Sequence, residues 1–405
     1  MTEQQQAEPE GPAVATDADA ATGTAAAAAT PDEITVSTRD DEEVRQRLSA
    51  WLAGRLGAGT AVTALERPSA NGMSSDTVLV DAAWVGDGGA EQAGSFVVRI
   101  EPADDAFPVF PVYDLAAQAR IMRMVGERSS VPVPTVRWFE PSRQALGAPF
   151  IVMDRIDGRV PPDVMPYTMG SWVTEATDAE RAALQDAAVG VLAGVHGVPT
   201  AAGELEFLDA GRRADAGATG GSALRRHVDV ERRYYQWVCG DDDTPLLARA
   251  FAWLEDNWPA AADAADPVLC WGDARIGNML FDGFTPVGVL DWEMASPGPR
   301  ELDIGWMIFL HRFFQDLTEE LGLPGLPDMF RPDAVAETYA RASGHEPRDL
   351  DWFVTYAAVR HGVIMTRVMG RQVHFGEHAP PEDPEEFILH RAALAKLLDG
   401  AYWER

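Results

Sequence analysis

The chain is almost without lysine: Lys396 is the only one, and arginine supplies the rest of its 33 basic residues. Any chemistry that depends on a lysine ammonium must therefore fall to arginine. Cysteine is nearly as scarce. Cys239 and Cys270 form no C-x-x-C pair and cannot alone build a four-thiolate zinc site, so both are expected to be reduced thiols. No stretch reaches the roughly 18 uninterrupted apolar residues of a membrane span. No basic residue precedes Arg39, and the apolar run Ala25–Ala29 is short, so no secretory signal is expected and a cytoplasmic location is. Positive charge as a whole is in deficit, with 33 basic against 64 acidic residues and a formal net charge of -31. Nucleic acids and anionic membranes demand a basic footprint, so neither is an expected partner. The acidity suits solubility and mildly favours a neutral or cationic substrate.

What is present is enough for a sizeable core: 46% of the 405 residues are hydrophobic. Residues 1–32 carry almost nothing large and apolar and are expected to be a disordered tail. Apolar residues at three- and four-residue steps predict a helix over Asp40–Leu56, with Gly57 as its stop. Strand-like runs follow at Ala61–Leu65, Val78–Trp84 and Ser95–Ile100, separated by Gly-rich turns at Asn71-Gly72 and Gly86–Gly89. A helix is expected over Tyr113–Val125, then a strand pair at Thr135–Phe139 and Pro149–Met153. Beyond Gly158 long helical patterns dominate: Asp178–Val195, Ala223–Val238, Leu246–Asn257, Asp333–Ala342, Leu350–Val368 and Glu385–Leu398. One β island, Val268–Trp292, interrupts them. Strands segregated from helices predict an α+β fold of two lobes, with the ligand in the crevice between them.

The β island carries the chemistry. An apolar strand leads into Asp273, four residues intervene before Asn278, and a hairpin through Asp282-Gly283 delivers Asp291. Phosphoryl transfer needs a carboxylate to orient the attacking hydroxyl and accept its proton, and hard oxygen ligands to hold magnesium on the phosphates. Asp273 suits the first role. Asn278 and Asp291 suit the second, because a hairpin can bring its two ends together.

This stretch resembles the aminoglycoside phosphotransferase and choline-kinase-like family, whose signature is His-Gly-Asp-x-x-x-x-Asn followed by Ile-Asp-Trp/Phe-Glu. The likeness runs from about Leu65 to about Trp306. More narrowly, Gly72-Met-Ser-Ser-Asp-Thr77, Val131-Pro-Val-Pro134 and Gly272-Asp-Ala-Arg-Ile-Gly-Asn278 resemble the kinase-like domain of acyl-CoA dehydrogenase family members 10 and 11. The resemblance implies a protein-kinase-like fold: a sheet-bearing N-lobe over 33–153, a hinge at 154–158 and a mainly helical C-lobe over 159–405. It implies ATP and Mg2+ as cofactors and a small-molecule hydroxyl as acceptor, whether aminoglycoside-like, an amino-alcohol or a hydroxyacyl compound.

The resemblance also distributes roles. Asn71–Thr77, with Ser74 and Ser75, takes the place of the phosphate-covering loop. Arg99 takes the place of the usual strand lysine, and Gln118 that of its helix glutamate, so an Arg–Gln contact is expected where an ion pair is usual. The backbone at Asp154–Ile156 would receive adenine. Arg275 stands where a second cation could neutralise the transferring phosphoryl group, and Glu293 is a further metal ligand. Trp271 replaces the usual His as a packing residue, and Asp303 is expected to cap or brace a helix.

Two alternatives accompany this reading. Arg99 and Gln118 would also suit a nucleotide-binding pseudokinase without efficient turnover, and a protein kinase is a third class, although no A-P-E segment is present. The pattern His374-Phe-Gly-Glu-His378 imitates an inverted zinc-protease motif, but Gly376 and the prolines that follow predict a helix end. His196, on an apolar helix, is expected to be a satisfied core residue.

Overall fold

The computed structural model describes residues 37–68, 75–86, 88–208, 221–240, 242 and 244–403. The expected tail at 1–32 and the loop residues Asn71–Ser74 lie outside them. Helix α1 (Asp41–Leu56) starts where the Asp40 carboxylate accepts the Glu43 N–H and ends at Gly57. Its buried stripe of Val44, Leu48 and Leu52 covers one face of an antiparallel five-stranded sheet. That sheet has the order β1 (Ala61–Glu66), β2 (Asp76–Val85), β3 (Glu91–Ile100), β5 (Phe150–Asp154), β4 (Val136–Glu140).

Strand alternation decides what the other face carries. Val98 and Ile100 of β3 point towards α1, so Arg99 between them must point away from it, towards the C-lobe. In β5, Phe150 and Val152 join the α1 side. Ile151 and Met153 join a second, larger core together with helix α2 (Leu115–Arg128). β5 is apolar on both faces because both are covered, and α2 belongs by packing to the core that the C-lobe helices build.

That second core is assembled from α3 (Asp178–His196), α4 (Ala223–Cys239), α5 (Pro245–Asp256), the short α6 (Ala260–Asp263), α7 (Glu301–Glu320), α8 (Pro332–Ser343), α9 (Leu350–His374) and α10 (Arg391–Leu398). Two small antiparallel pairs are set into it. β6 (Val268–Cys270) pairs with β9 (Ser296–Gly298), and β7 (Met279–Asp282) with β8 (Thr285–Val289). The hairpin is tied to the chain leaving the hinge by reciprocal backbone bonds between Arg159 and Phe281, both 2.9 Å. The fold is thus the expected α+β, kinase-like, two-lobed one.

Two expectations need correction. No helix was expected over Glu301–Glu320, yet α7 is the central helix of the C-lobe. Its first eleven residues, Glu301–His311, are all buried, so no polar stripe marks a 3.6-residue period there; only the last turns show one, Arg312, Asp316 and Glu319. The single helix expected over Glu385–Leu398 is broken: a 3-10 turn spans Pro384–Phe387 and the helix starts only at Arg391. The reason is Glu385. Its carboxylate turns inward to accept the N–H groups of Leu246 (2.7 Å) and Leu247 (3.3 Å) at the start of α5.

The two histidines of the imitation zinc motif do not meet. α9 ends at His374, which stacks on Phe107 at 4.8 Å, whereas His378 bonds the Ala379 carbonyl. Cys239 and Cys270 are free and buried. Among the described residues no helix is long and apolar enough to cross a membrane.

Three further histidines sit in the C-lobe core. Burial pushes His311 and His390 down to about 4, against the pull of their carbonyl partners Leu326 and Ala358. Burial, then neighbouring His390 and Arg275, pushes His361 well below its ordinary value. The unfolded chain takes up protons near pH 6.5 that these imidazoles refuse, so stability is fully present above that pH and drains as pH falls towards 4. Each of the first two is worth roughly 3 kcal/mol across the whole window. Urea midpoints should fall between pH 7.5 and pH 5, and His390→Gln, which keeps a donor for Ala358, should flatten the slope. A pH-independent midpoint would contradict this.

Candidate active site

The site is built outward from one buried carboxylate. Asp303, on the first turn of α7, is fully buried. It accepts the backbone N–H groups of Trp271 (2.6 Å) and Gly272 (2.8 Å) and bonds His196 Nε2 (2.9 Å). His196 Nδ1 in turn meets the Tyr339 hydroxyl at 2.7 Å. Asp303 therefore braces the Trp271–Asp273 loop against α3, α7 and α8, the second of the two roles, capping or bracing, expected of it. Cys270 lies near enough to complete a three-ligand cluster with His196 and Asp303. Hydrogen bonds already occupy both carboxylate oxygens and both imidazole nitrogens, and the thiol donates to the Pro299 carbonyl at 3.3 Å. The cluster is a bracket, not a metal centre.

Gly272 cannot be another residue here. Its φ is +95°, and a Cβ would stand 2.1 Å from the Met294 carbonyl oxygen. Trp271 does more than pack. Its indole N–H reaches the carbonyls of Leu290 (2.8 Å) and Asp291 (3.2 Å), fastening the hairpin exit to the catalytic loop.

Asp273 is held from three sides. Oδ1 accepts the Trp306 indole N–H at 2.7 Å, Oδ2 accepts Asn278 Nδ2 at 2.6 Å, and Arg275 Nε lies 3.1 and 3.2 Å from the two oxygens. Arg275, expected as a cation near the transferring phosphoryl group, is itself paired within the C-lobe. Its Nη1 donates to Asp163, so the guanidinium bridges two carboxylates. Burial alone would loosen the Arg275 proton, but Asp163 and Asp273 outweigh it and hold the side chain firmly charged. Burial raises Asp163 despite the neighbouring arginine, and its Oδ1 has no hydrogen-bond partner among the described residues. Asp163 and Trp306 were not singled out in the sequence. Asp163 follows two prolines in the link after the hinge, 112 residues from its partner, and no local signal could have found it. Trp306 lies one helical turn after Asp303, on the helix that went unread.

The hairpin brings Asn278 and Asp291 together: the Leu290 N–H donates to the Asn278 carbonyl at 2.9 Å, and Asp291 follows in a left-handed conformation, φ 58°. Such a φ is uncommon outside glycine. Arg99 crosses from the N-lobe, and its Nη2 donates to Asp291 (2.9 Å) and Glu293 (2.5 Å). Burial would weaken its hold on the proton, yet the two carboxylates reverse the shift and raise it. The expected Arg99–Gln118 contact is not made. Gln118 is buried on α2, and Arg99 finds two anions on the opposite lobe instead. A guanidinium favours a carboxylate over a neutral amide because charge assistance roughly doubles the bond.

The remaining expected positions are nearer the edge. Ser75 is buried at the mouth of β2, its hydroxyl 3.3 Å from that of Thr77. Ser74 lies outside the described residues. The Asp154 side chain turns outward to Arg137 (2.7 Å), and its N–H is taken by the Thr135 carbonyl. The Ile156 N–H has no intramolecular partner among the described residues.

The chain matches the phosphotransferase enzyme family over residues 66–353. It is 25% identical over 318 residues to the Arabidopsis thaliana protein "Probable acyl-CoA dehydrogenase IBR3", covering 74% of this chain and 35% of that protein. It is 25% identical over 295 residues to mouse acyl-CoA dehydrogenase family member 10, covering 68% of this chain and 25% of that protein. The chain thus spans about a third or less of these two curated relatives. Among solved structures, a Ralstonia eutropha protein assigned as an aminoglycoside phosphotransferase superposes with a TM-score of 0.59 at 18% identity, covering 88% of this chain and 97% of that one. ADP-bound aminoglycoside phosphotransferase APH(2'')-Ib gives 0.52 at 14% identity, with 89% and 97% covered. At such identities the superpositions speak for the fold alone.

The bracket makes a direct test. Asp303→Ala leaves two backbone N–H groups and an imidazole without their acceptor, and breaking a buried hydrogen-bonded charge costs about 3–5 kcal/mol. Urea unfolding should show a loss of that order. A loss under about 1 kcal/mol would mean that the loop is held by other contacts.

Proposed function

The chain belongs to the phosphotransferase enzyme family, and we propose that it transfers the γ-phosphate of ATP, with magnesium, to a hydroxyl group of a small molecule. The observation that carries this reading is the fixed Asp273 carboxylate with Asn278, Asp291 and Glu293 gathered beside it. Asp273 accepts the proton of the acceptor hydroxyl as its oxygen bonds to the γ-phosphorus. The bond from that phosphorus to the β,γ-bridging oxygen breaks, and ADP leaves. Trp306 and Asn278 hold Asp273 in one orientation, so little is lost in aligning it.

The donor set fits a hard cation. The Asn278 amide spends its NH2 on Asp273, which leaves its carbonyl oxygen to join carboxylate oxygens of Asp291 and Glu293. Magnesium bound there would neutralise charge on the phosphates during transfer. Arg99 keeps a second edge for the nucleotide. Only Nη2 is engaged, and its buried Nε has no hydrogen-bond partner among the described residues. That orphan donor is what a phosphate oxygen would satisfy. Ser74 and Ser75 would cover the phosphates, and the free Ile156 N–H, beside Asp154, would meet adenine. A nucleotide-binding chain without turnover draws no support from this site, where Asn278 and Trp306 hold Asp273 and Arg99 joins Asp291 to Glu293.

An ATP-consumption screen across aminoglycosides, amino-alcohols and hydroxyacyl compounds tests the reading. With any acceptor found, Asp273→Asn should cut turnover by roughly a hundredfold or more. Near wild-type turnover would remove Asp273 from the mechanism. Asp291→Ala should abolish the magnesium-dependent part of ATP affinity in calorimetry, and unchanged affinity would refute the metal assignment. Arg99→Ala should weaken ATP binding by about 1.5–3 kcal/mol, and Arg99→Lys should recover much of it. If neither variant changes ATP affinity, Arg99 is only a strut between the lobes.

A further inference from the structure

Arg275 meets Asp273 through one nitrogen. Its Nε lies 3.1 Å from Oδ1 and 3.2 Å from Oδ2, so a single N–H is shared between two oxygens. A guanidinium beside a carboxylate frequently closes a fork instead, two parallel N–H···O bonds from two nitrogens. Here Nη1 is drawn off to Asp163, and the fork stays open. The difference matters to the base. A carboxylate offers about four acceptor sites. Asp273 spends one on the Trp306 indole, one on the Asn278 amide and one on the shared Arg275 N–H. A fork from Arg275 would fill the site that is left.

The chain fixes Asp163 from both directions. Pro161 and Pro162 precede it, and their rings lock φ. Upstream, Arg159 exchanges backbone bonds with Phe281 on the hairpin, both 2.9 Å. Downstream, the Tyr167 N–H donates to the Pro162 carbonyl at 2.8 Å, and the Tyr167 hydroxyl meets His311 Nδ1 on α7 at 2.7 Å. Gly277, in the loop between Asp273 and Asn278, leaves room for the ion pair. A Cβ there would collide with Asp163 Oδ1 and Arg275 Nη1 alike. The side chains of Asp163, Arg275 and Asp273 are all largely shielded from water, where charge pairing is stronger than at the surface.

On the phosphoryl-transfer reading, we propose that Asp163 is a positioning residue of the reaction: by holding Arg275 Nη1 it keeps the guanidinium from closing on Asp273 and leaves that base an acceptor site for the incoming hydroxyl. Asp163 acts through Arg275 and not on the reacting atoms. Its effect is therefore on turnover. The ion pairs of Arg99 with Asp291 and Glu293, on the phosphate side, form a separate set, so ATP affinity does not depend on Asp163. A merely structural ion pair would show itself in stability and leave the turnover of a folded variant alone.

The full chain tests this with magnesium-ATP and with water as the acceptor, ADP release being the readout. Asp163→Ala should lower kcat about a hundredfold, the cost of a misplaced catalytic group, with KM for ATP within about twofold of the wild type. Asp163→Asn, which keeps an oxygen for Nη1, should recover much of that loss. In the Asp163→Ala background Arg275→Gln removes the fork, so the double variant should be no slower than Asp163→Ala alone. Melting curves check that the variants fold. A second measurement does not depend on Asp163→Ala folding. With both its ends held, the Arg275 guanidinium of the wild type turns slowly about Nε–Cζ and should give two separate Nη nitrogen resonances, assigned by their loss in Arg275→Gln. One averaged signal overturns the proposal. So does unchanged kcat in folded Asp163→Ala, a loss confined to KM, or a double variant slower than Asp163→Ala. A wild type that releases no ADP strikes the phosphotransferase reading itself, and this role with it.

Discussion

The Asp303 carboxyl group is the constraint on which the geometry of the candidate site rests. It is fully buried, so a group this polar is tolerable there only because backbone and imidazole partners surround it. In return it gives the catalytic loop one position relative to three helices. Everything downstream inherits that position. Trp271 ties the loop to the hairpin exit, Gly272 lets it pass under Met294, and Trp306, three residues beyond Asp303 on α7, reaches Asp273.

Around that bracket the chain solves a charge problem with arginine alone. Arg275 is matched by Asp163 and Asp273 within the C-lobe, and Arg99 by Asp291 and Glu293 across the cleft. A guanidinium has donors enough to serve two carboxylates at once, which an ammonium on a strand would do with less directional control. The Arg99 contacts also join the lobes by direct ion pairs between chain positions nearly two hundred residues apart.

Legibility in the sequence followed the range of the interaction. The strands, the first helix with its Gly57 stop and the hairpin through Asp282-Gly283 are local events, and each appeared within a residue or two of its expected place except β3, which starts four residues before the expected Ser95. The order Asp273, Asn278, Asp291 was equally plain, because a loop and a hairpin bring these residues together without help from the rest of the chain. α7 escaped because its first three turns are buried all round and have no polar face to betray their period. The split of Glu385–Leu398 escaped because Glu385 answers to the N-terminus of a helix 139 residues away.

The amino-acid sequence by itself determined the α+β division and the family, and it singled out Asp273, Asn278 and Asp291 as one local cluster. Those depend on periodicity and on spacing along a few residues. Only the tertiary structure decided which partner each charge takes. It gave Arg99 to Asp291 and Glu293 in place of Gln118, gave Arg275 to Asp163, and set Arg360 over Trp306 within 3.7 Å of Glu231. The physical reason is that Coulomb interactions and desolvation act through space at a few ångströms, and sequence distance carries no record of which side chains burial will bring that close.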